Sequence, residues 1–178
     1  MSDFEYVFTF YSVLLGLAAA NVATGFADMW RDRRAVEVGF CTPMLAAIVL
    51  IATMNLWLRF WSNWSGVDVG PWQLITLVAF ALPMVFLSRA MFPPAGGEMS
   101  LETHFFAHRQ VLLLALAATP GSSILWYVVN GNLTTDWPSI WLMVRFLLPL
   151  ALIPFNGRNI NRAGLVVILA WVLVGLFR

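Results

Sequence analysis

Arg145 lies inside an otherwise uncharged run, seven positions beyond Pro138. At about 1.5 Å of helical rise per residue it would sit about 10 Å below the start of that run. A guanidinium at the centre of a hydrocarbon layer costs about 2.5–3.5 kcal/mol on insertion scales, so it should face a bundle interior, a cavity or an anion. The plainer alternative is that its stem lies in lipid and its head snorkels to the boundary. No acidic residue is expected at matching depth, which leaves backbone carbonyls, Asn55, Tyr11, Ser12 or a bound anion as contacts. Asn21 and Asn55 are polar groups in the first and second apolar runs. Either would bond a neighbouring helix, worth about 0.6–2 kcal/mol in lipid. With Arg145 they would line a polar path, or else make three separate packing contacts.

A second feature is Thr119-Pro120-Gly121-Ser122-Ser123, near the middle of the fourth apolar run. Proline removes a hydrogen-bond donor and crowds the preceding turn, and glycine weakens the helix further. Thr119 would cap a new half-helix with Pro120 at its first position. The freed amides near Gly121 and Ser122 would then suit an anion or a polar ligand. The alternative is a proline kink whose free carbonyl is bonded by a Ser or Thr hydroxyl. Arg145, Asn21, Asn55, Thr119, Gly121 and Ser122 are thus the candidate pore- or ligand-lining residues.

His104 and His108 stand four apart, a spacing that suits a metal if Glu102 or Asp32 supplies a third ligand. Without a His-Glu-x-x-His pattern the expectation is solvated histidines on an interfacial helix over 100–110, and no metal. Asp28 and Asp32, beside Arg31, Arg33 and Arg34, read as a salt-bridged helix end, since a diphosphate site would need a second acidic motif. Cys41 is the only cysteine, which excludes an intrachain disulfide. No nucleophile elbow, phosphate loop or catalytic carboxylate pair is present, so neither an enzyme nor a cofactor is expected.

The elements that must carry these residues follow from the charge pattern. No formal charge lies between Glu5 and Asp28, Glu37 and Arg59, Asp68 and Arg89, or Arg109 and Asp136. Each gap is long enough, as helix, to cross a hydrocarbon core of about 30 Å. Hydrophobic residues make up 61% of the chain and charged residues 11%, which leaves no room for a water-soluble domain and points to no nucleic-acid partner. The expected fold is all-α, a polytopic transmembrane bundle of six spans over 6–27, 38–58, 71–88, 110–129, 138–156 and 163–177. The sixth is short and must borrow Asn159 to Asn161, thin the bilayer, or let Arg178 snorkel. The acidic amino terminus lacks a signal peptide's basic region, so the first run is expected to stay as a span. Segments 13–20 and 111–118 resemble each other, which would fit a three-plus-three inverted repeat or merely shared Leu/Ala composition.

Orientation follows from the arginines. Arg31, Arg33 and Arg34, then Arg89 and Arg109, then Arg158 and Arg162 flank turns that six spans place on one side. By the positive-inside rule those turns are cytoplasmic and both termini are outside. Arg59 is the exception, and Asp68 could pair with it. Trp57, Trp61, Trp64, Trp72, Trp126, Trp137 and Trp141 fall near the outer boundary as an aromatic belt, with Trp30 at the inner one. All ten basic residues are arginine, a bias a GC-rich bacterial genome would produce, so a bacterial inner membrane is expected. Ser12, Gly16, Ala20 and Thr24 recur every fourth residue and would let helices approach closely, within the protomer or in a homo-oligomer. The resulting expectation is a homo-oligomeric channel or transporter for a small solute or ion, with a small anion or polar solute as its partner and Arg145 attracting an anion or excluding cations. The alternative is a non-catalytic structural or regulatory subunit of a membrane complex.

Overall fold

The computed structural model describes residues 3–32, 38–64, 70–94 and 100–176. Arg33, Arg34, Asp68 and Arg178 lie outside the described residues, as do the side chains of Asp32, Asn63 and Trp64. Six helices account for the fold: α1 (Asp3–Asp32), α2 (Cys41–Trp64), α3 (Pro71–Ala90), α4 (Leu101–Val129), α5 (Trp137–Leu152) and α6 (Arg158–Leu176). Among the described residues there is no strand. Five helices are long and apolar enough to cross a membrane, and α5, at 16 residues, is the short one. This is the make-up of an integral membrane protein.

Two helix starts differ markedly from the sequence expectation. α4 starts at Leu101, so the expected interfacial segment and the fourth span are one 29-residue helix. Ser100 caps it, its hydroxyl accepting the Thr103 N–H at 3.2 Å. Leu101, Glu102, Phe105 and Arg109 are buried, which draws this stretch into the bundle and away from a surface position. α6 starts at Arg158, so it takes in Asn159 to Asn161 and reaches 19 residues. The expected short sixth span is thereby lengthened, and shortness falls on α5.

The helices form a closed ring in the order α1, α3, α4, α5, α6, α2, with α2 also touching α3 and α4. In that ring α1 packs on α3, whereas α4 and α6 are not neighbours and meet through an ion pair. The packing therefore gives the internal repeat no support. One end of the ring carries the start of α1 and the end of α6 and is called here the terminal end; the other carries the ends of α1, α3 and α5 and is called the arginine end.

The main core fills the arginine half. It gathers Ala18, Val22, Leu45, Ile48, Val49, Met84, Leu87, Phe105, Leu112 and Leu165, all at most 1% exposed. A smaller aromatic cluster holds α1 to α2 at the terminal end, where Phe8 stacks on Phe60 with centroids 5.8 Å apart. The outward face is as apolar as the core: Val13, Leu17, Ile75, Leu82, Phe86, Leu114, Leu125, Leu147 and Val167 are exposed. Such a surface suits hydrocarbon as its solvent.

Buried polar groups tie the ring together, as hydrocarbon demands. Arg109 of α4 donates to the carbonyls of Ile153 (2.7 Å) and Phe155 (2.8 Å), at and just past the end of α5. Asn161 also donates to Phe155 O, at 2.8 Å. Pro83, Pro120 and Pro149 lie inside helices that remain continuous.

Candidate functional site

The ring encloses a cavity of about 510 Å³ in its terminal half. α1 to α5 contribute to its wall. Leu56, Phe60, Leu77, Phe80, Trp126 and Leu142 give an apolar lining, while Gln73, Asn132, Thr134, Asp136 and Ser139 give a polar one. Arg59 and Arg145 both line it.

Trp141 organises the two arginines. Its side chain is 4% exposed, and the guanidinium carbons of Arg59 and Arg145 each lie 4.7 Å from its ring centroid. The two cations are therefore no further apart than twice that distance. Each gains cation–π attraction, which grows as water is excluded. Arg59 is further fixed by its Nε, which donates to Asn55 Oδ1 at 3.0 Å, one helical turn back. Asn55 is 2% exposed, and its Nδ2 finds no partner among the described residues. Arg145 makes no hydrogen bond with a described residue, and neither arginine forms an ion pair with a described carboxylate. Its five donors are thus available to whatever occupies the cavity.

Trp141 in turn leans on α6. The backbone of Gly175 lies against the six-membered part of the indole, and a Cβ at that position would collide with Cζ2. Trp171 also donates its indole N–H to Trp141 O at 3.3 Å.

α4 closes the bottom of the cavity. Thr119 donates its hydroxyl to Phe80 O of α3 at 3.3 Å, and Pro120 lines the cavity beside it. Below lies a void of about 10 Å³ against Leu116, Leu148 and Ile168, followed by the main core. The exposed Asn132, Thr134 and Asp136 put the mouth of the cavity at the terminal end, and the packed core lies beyond its floor.

At the rim, Asp136 caps α5, accepting the Ser139 N–H at 3.2 Å. Hydrogen bonds from the Thr134 and Ser139 hydroxyls and from that N–H hold its carboxyl below the usual carboxylate range.

The structure brings only some of the sequence candidates together. Arg145 and Thr119 line the cavity, and Asn55 stands behind Arg59. Asn21 lies elsewhere, donating to Ser88 Oγ of α3 at 3.1 Å. Ser122 and Ser123 turn their hydroxyls back to Thr119 O, the kink arrangement and not a broken helix. Gly121 faces Phe146, whose Cε2 would be 2.9 Å from an added Cβ, so it serves the approach of α4 to α5. On α1, Ser12 accepts the Trp57 indole N–H at 3.0 Å, while Gly16 has nothing near an added Cβ and Ala20 and Thr24 are exposed. His104 is buried, with Nε2 at 3.0 Å from Ala90 O, and His108 is exposed. No three described His, Cys, Asp or Glu side chains are grouped to hold a metal. Asp28 pairs with Arg31 on the surface.

Two cavity residues have other roles on sequence grounds. Arg59 stands out there as an exception to the charge pattern, and Trp141 as a belt residue; both belong to the cavity. Spacing alone holds a hint, since Trp141 and Arg145 are four apart on α5 and share a helix face.

A second polar cluster closes the arginine end. Glu102 of α4 accepts the backbone N–H groups of Phe40 (2.9 Å) and Cys41 (3.0 Å), thereby capping α2 from another helix. Its other oxygen takes Arg162 of α6 at 3.1 Å. Gly39, at φ +65°, has no space for a Cβ against this carboxylate. Three helices thus converge on one side chain.

No family model, no curated protein and no solved structure matches this chain.

Proposed function

We propose that this protein is a carrier-type transporter of a small anionic solute in a bacterial inner membrane. The observation that carries the reading is the pair of arginines held around Trp141, free of carboxylate partners among the described residues, in a cavity large enough for a metabolite. Arg145 supplies charge and donors, and Arg59 a second charge, while the hydroxyl protons of Thr119 and Ser123 at the floor are already given to backbone carbonyls. A cavity with its mouth at one end and packed core beyond its floor suits alternating access better than an open channel. By the positive-inside rule the arginine end is cytoplasmic, both termini are periplasmic, and the cavity opens to the periplasm. The exposed Gly16, Ala20 and Thr24 stripe supports assembly as a homo-oligomer through α1. The same stripe favours the second reading, a non-catalytic subunit that packs α1 against an unrelated membrane partner.

The test is anion flux into proteoliposomes holding the purified chain. Transport that Arg145→Ala abolishes while the protein stays folded supports the carrier. Absence of flux with every anion tried, together with stoichiometric co-purification of another membrane protein, favours the subunit. Single cysteines at Asn132 and Asn156, in a Cys41→Ser background, test the orientation: labelling of both from one side would overturn it.

A further inference from the structure

The same cavity says more about its occupant than the sign of its charge, an inference that rests on the anion-site reading proposed above. Chloride or inorganic phosphate would take up a small part of about 510 Å³. A bare inorganic ion also gains nothing from hydrocarbon walls. Yet Leu56, Phe60, Leu77, Phe80 and Leu142 line the cavity together with the arginines. Phe60 is 4% and Leu77 2% exposed, so these side chains are held in the bundle and present a fixed apolar surface. Such walls are useful only to a ligand that has apolar surface of its own to bury.

The charges are also localised. Arg59 and Arg145 both attach to the one indole of Trp141, so positive potential concentrates at that place. The one acid among the described residues lining this cavity, Asp136, is committed to the Ser139 N–H at the start of α5. A ligand matched to this arrangement carries one compact anionic group and an uncharged remainder. Guanidinium forks bind planar or tetrahedral oxyanions through parallel hydrogen bonds, which favours a carboxylate, sulfonate or phosphate ester.

We propose that the cavity binds an organic acid: a single oxyanion group placed at Arg59 and Arg145, on an apolar body seated against Phe60, Leu77, Phe80 and Leu142. A soluble aromatic acid and a fatty acid drawn from the bilayer share this chemistry, and the experiment separates them.

Binding is measured by equilibrium dialysis on the full chain in neutral lipid nanodiscs, with empty nanodiscs subtracted. The probes are 2-naphthoate, its neutral analogue 2-naphthamide, and dodecanoate; chloride and inorganic phosphate serve as competitors. The proposal expects saturable binding of 2-naphthoate or dodecanoate, at least tenfold tighter than 2-naphthamide. Hundredfold excess phosphate or chloride should displace neither. Arg145→Gln and, separately, Arg59→Gln should each weaken binding about tenfold, with Arg145→Lys recovering part of the loss. Preference for 2-naphthoate identifies a soluble acid, and preference for dodecanoate a lipid-derived one. Equal binding of the neutral amide, or no saturable binding by either acid, overturns the proposal without relying on any variant's folding. Efficient displacement by phosphate or chloride overturns the organic body while leaving an anion site. Tight organic-acid binding with no flux in proteoliposomes keeps this inference and removes the carrier.

Discussion

Gly175 of α6 and Trp141 of α5 are packed so closely that a methyl group at residue 175 would overlap the indole. The indole on which both cavity arginines rest is therefore positioned by a helix that does not line the cavity. Position 175 should behave as a remote control on the site. Gly175→Ala must push Trp141 or separate α6 from α5, costing about 1–3 kcal/mol as overpacking. A lowered melting temperature in detergent and weaker binding of an organic anion are expected together. Wild-type affinity in this variant would show that the indole does not set the arginine geometry.

Asn55 offers a narrower perturbation. Asn55→Leu removes the acceptor of Arg59 Nε, leaving a half-buried charged donor without its partner. A loss of about 1–3 kcal/mol in stability is expected from that desolvated group. Affinity for the anion should fall several-fold, and the effect should be non-additive with Arg59→Gln, which removes the same interaction. Calorimetry on the double-mutant cycle reads the coupling directly.

The Glu102 cluster predicts a chemical reporter. Cys41 is the only cysteine, is buried, and has its backbone N–H bonded to Glu102. Glu102→Ala uncaps α2 and frees Arg162, so the arginine end should loosen at a cost of about 1–3 kcal/mol. Maleimide labelling of Cys41 should be slow in the wild type and at least tenfold faster in Glu102→Ala. Arg162→Ala, which leaves the two N–H bonds in place, should lie between the two.

Asp136 gives a pH prediction. Its carboxyl is held below the usual range in the folded protein, so the cap's stabilisation is present above the unfolded value of about 3.9 and disappears as pH falls through the folded value. Melting temperature should drop below about pH 4. Asp136→Asn keeps an N-cap acceptor but does not titrate there, and its melting profile should be flatter over the same interval.

The bundle was legible because membrane spans write themselves into charge spacing. The uncharged gaps located the helices, and the isolation of Arg145 marked it as a residue that needed a polar setting. The rest of the site depended on distances between helices. Arg59 lies close to a turn, and sequence could not bring it to α5; Asn55 could be seen as polar, but not as the group that orients Arg59. Trp141 shared the composition of a boundary belt, and only its burial separates it from exposed Trp57, Trp61 and Trp72. Glu102 stands in the sequence as a companion to two histidines, whereas its partners are backbone amides some 60 residues away. Hydropathy also stopped α4 at Gln110, because Glu102 and Arg109 look surface-bound until α2, α5 and α6 supply their partners.

The brevity of α5 bears on how the molecule is assembled. Sixteen residues rise about 24 Å, short of a hydrocarbon core of about 30 Å, so the last carbonyls of α5 would terminate in oil. Arg109 reaches across from α4 to the Ile153 and Phe155 carbonyls and stands in for the missing water. A lone α5 would thus be a poor passenger in lipid. Its carboxyl end is completed from both sides, by Arg109 of α4 and by Asn161 of α6, so α5 depends on its two neighbours for a polar environment that its own length does not reach.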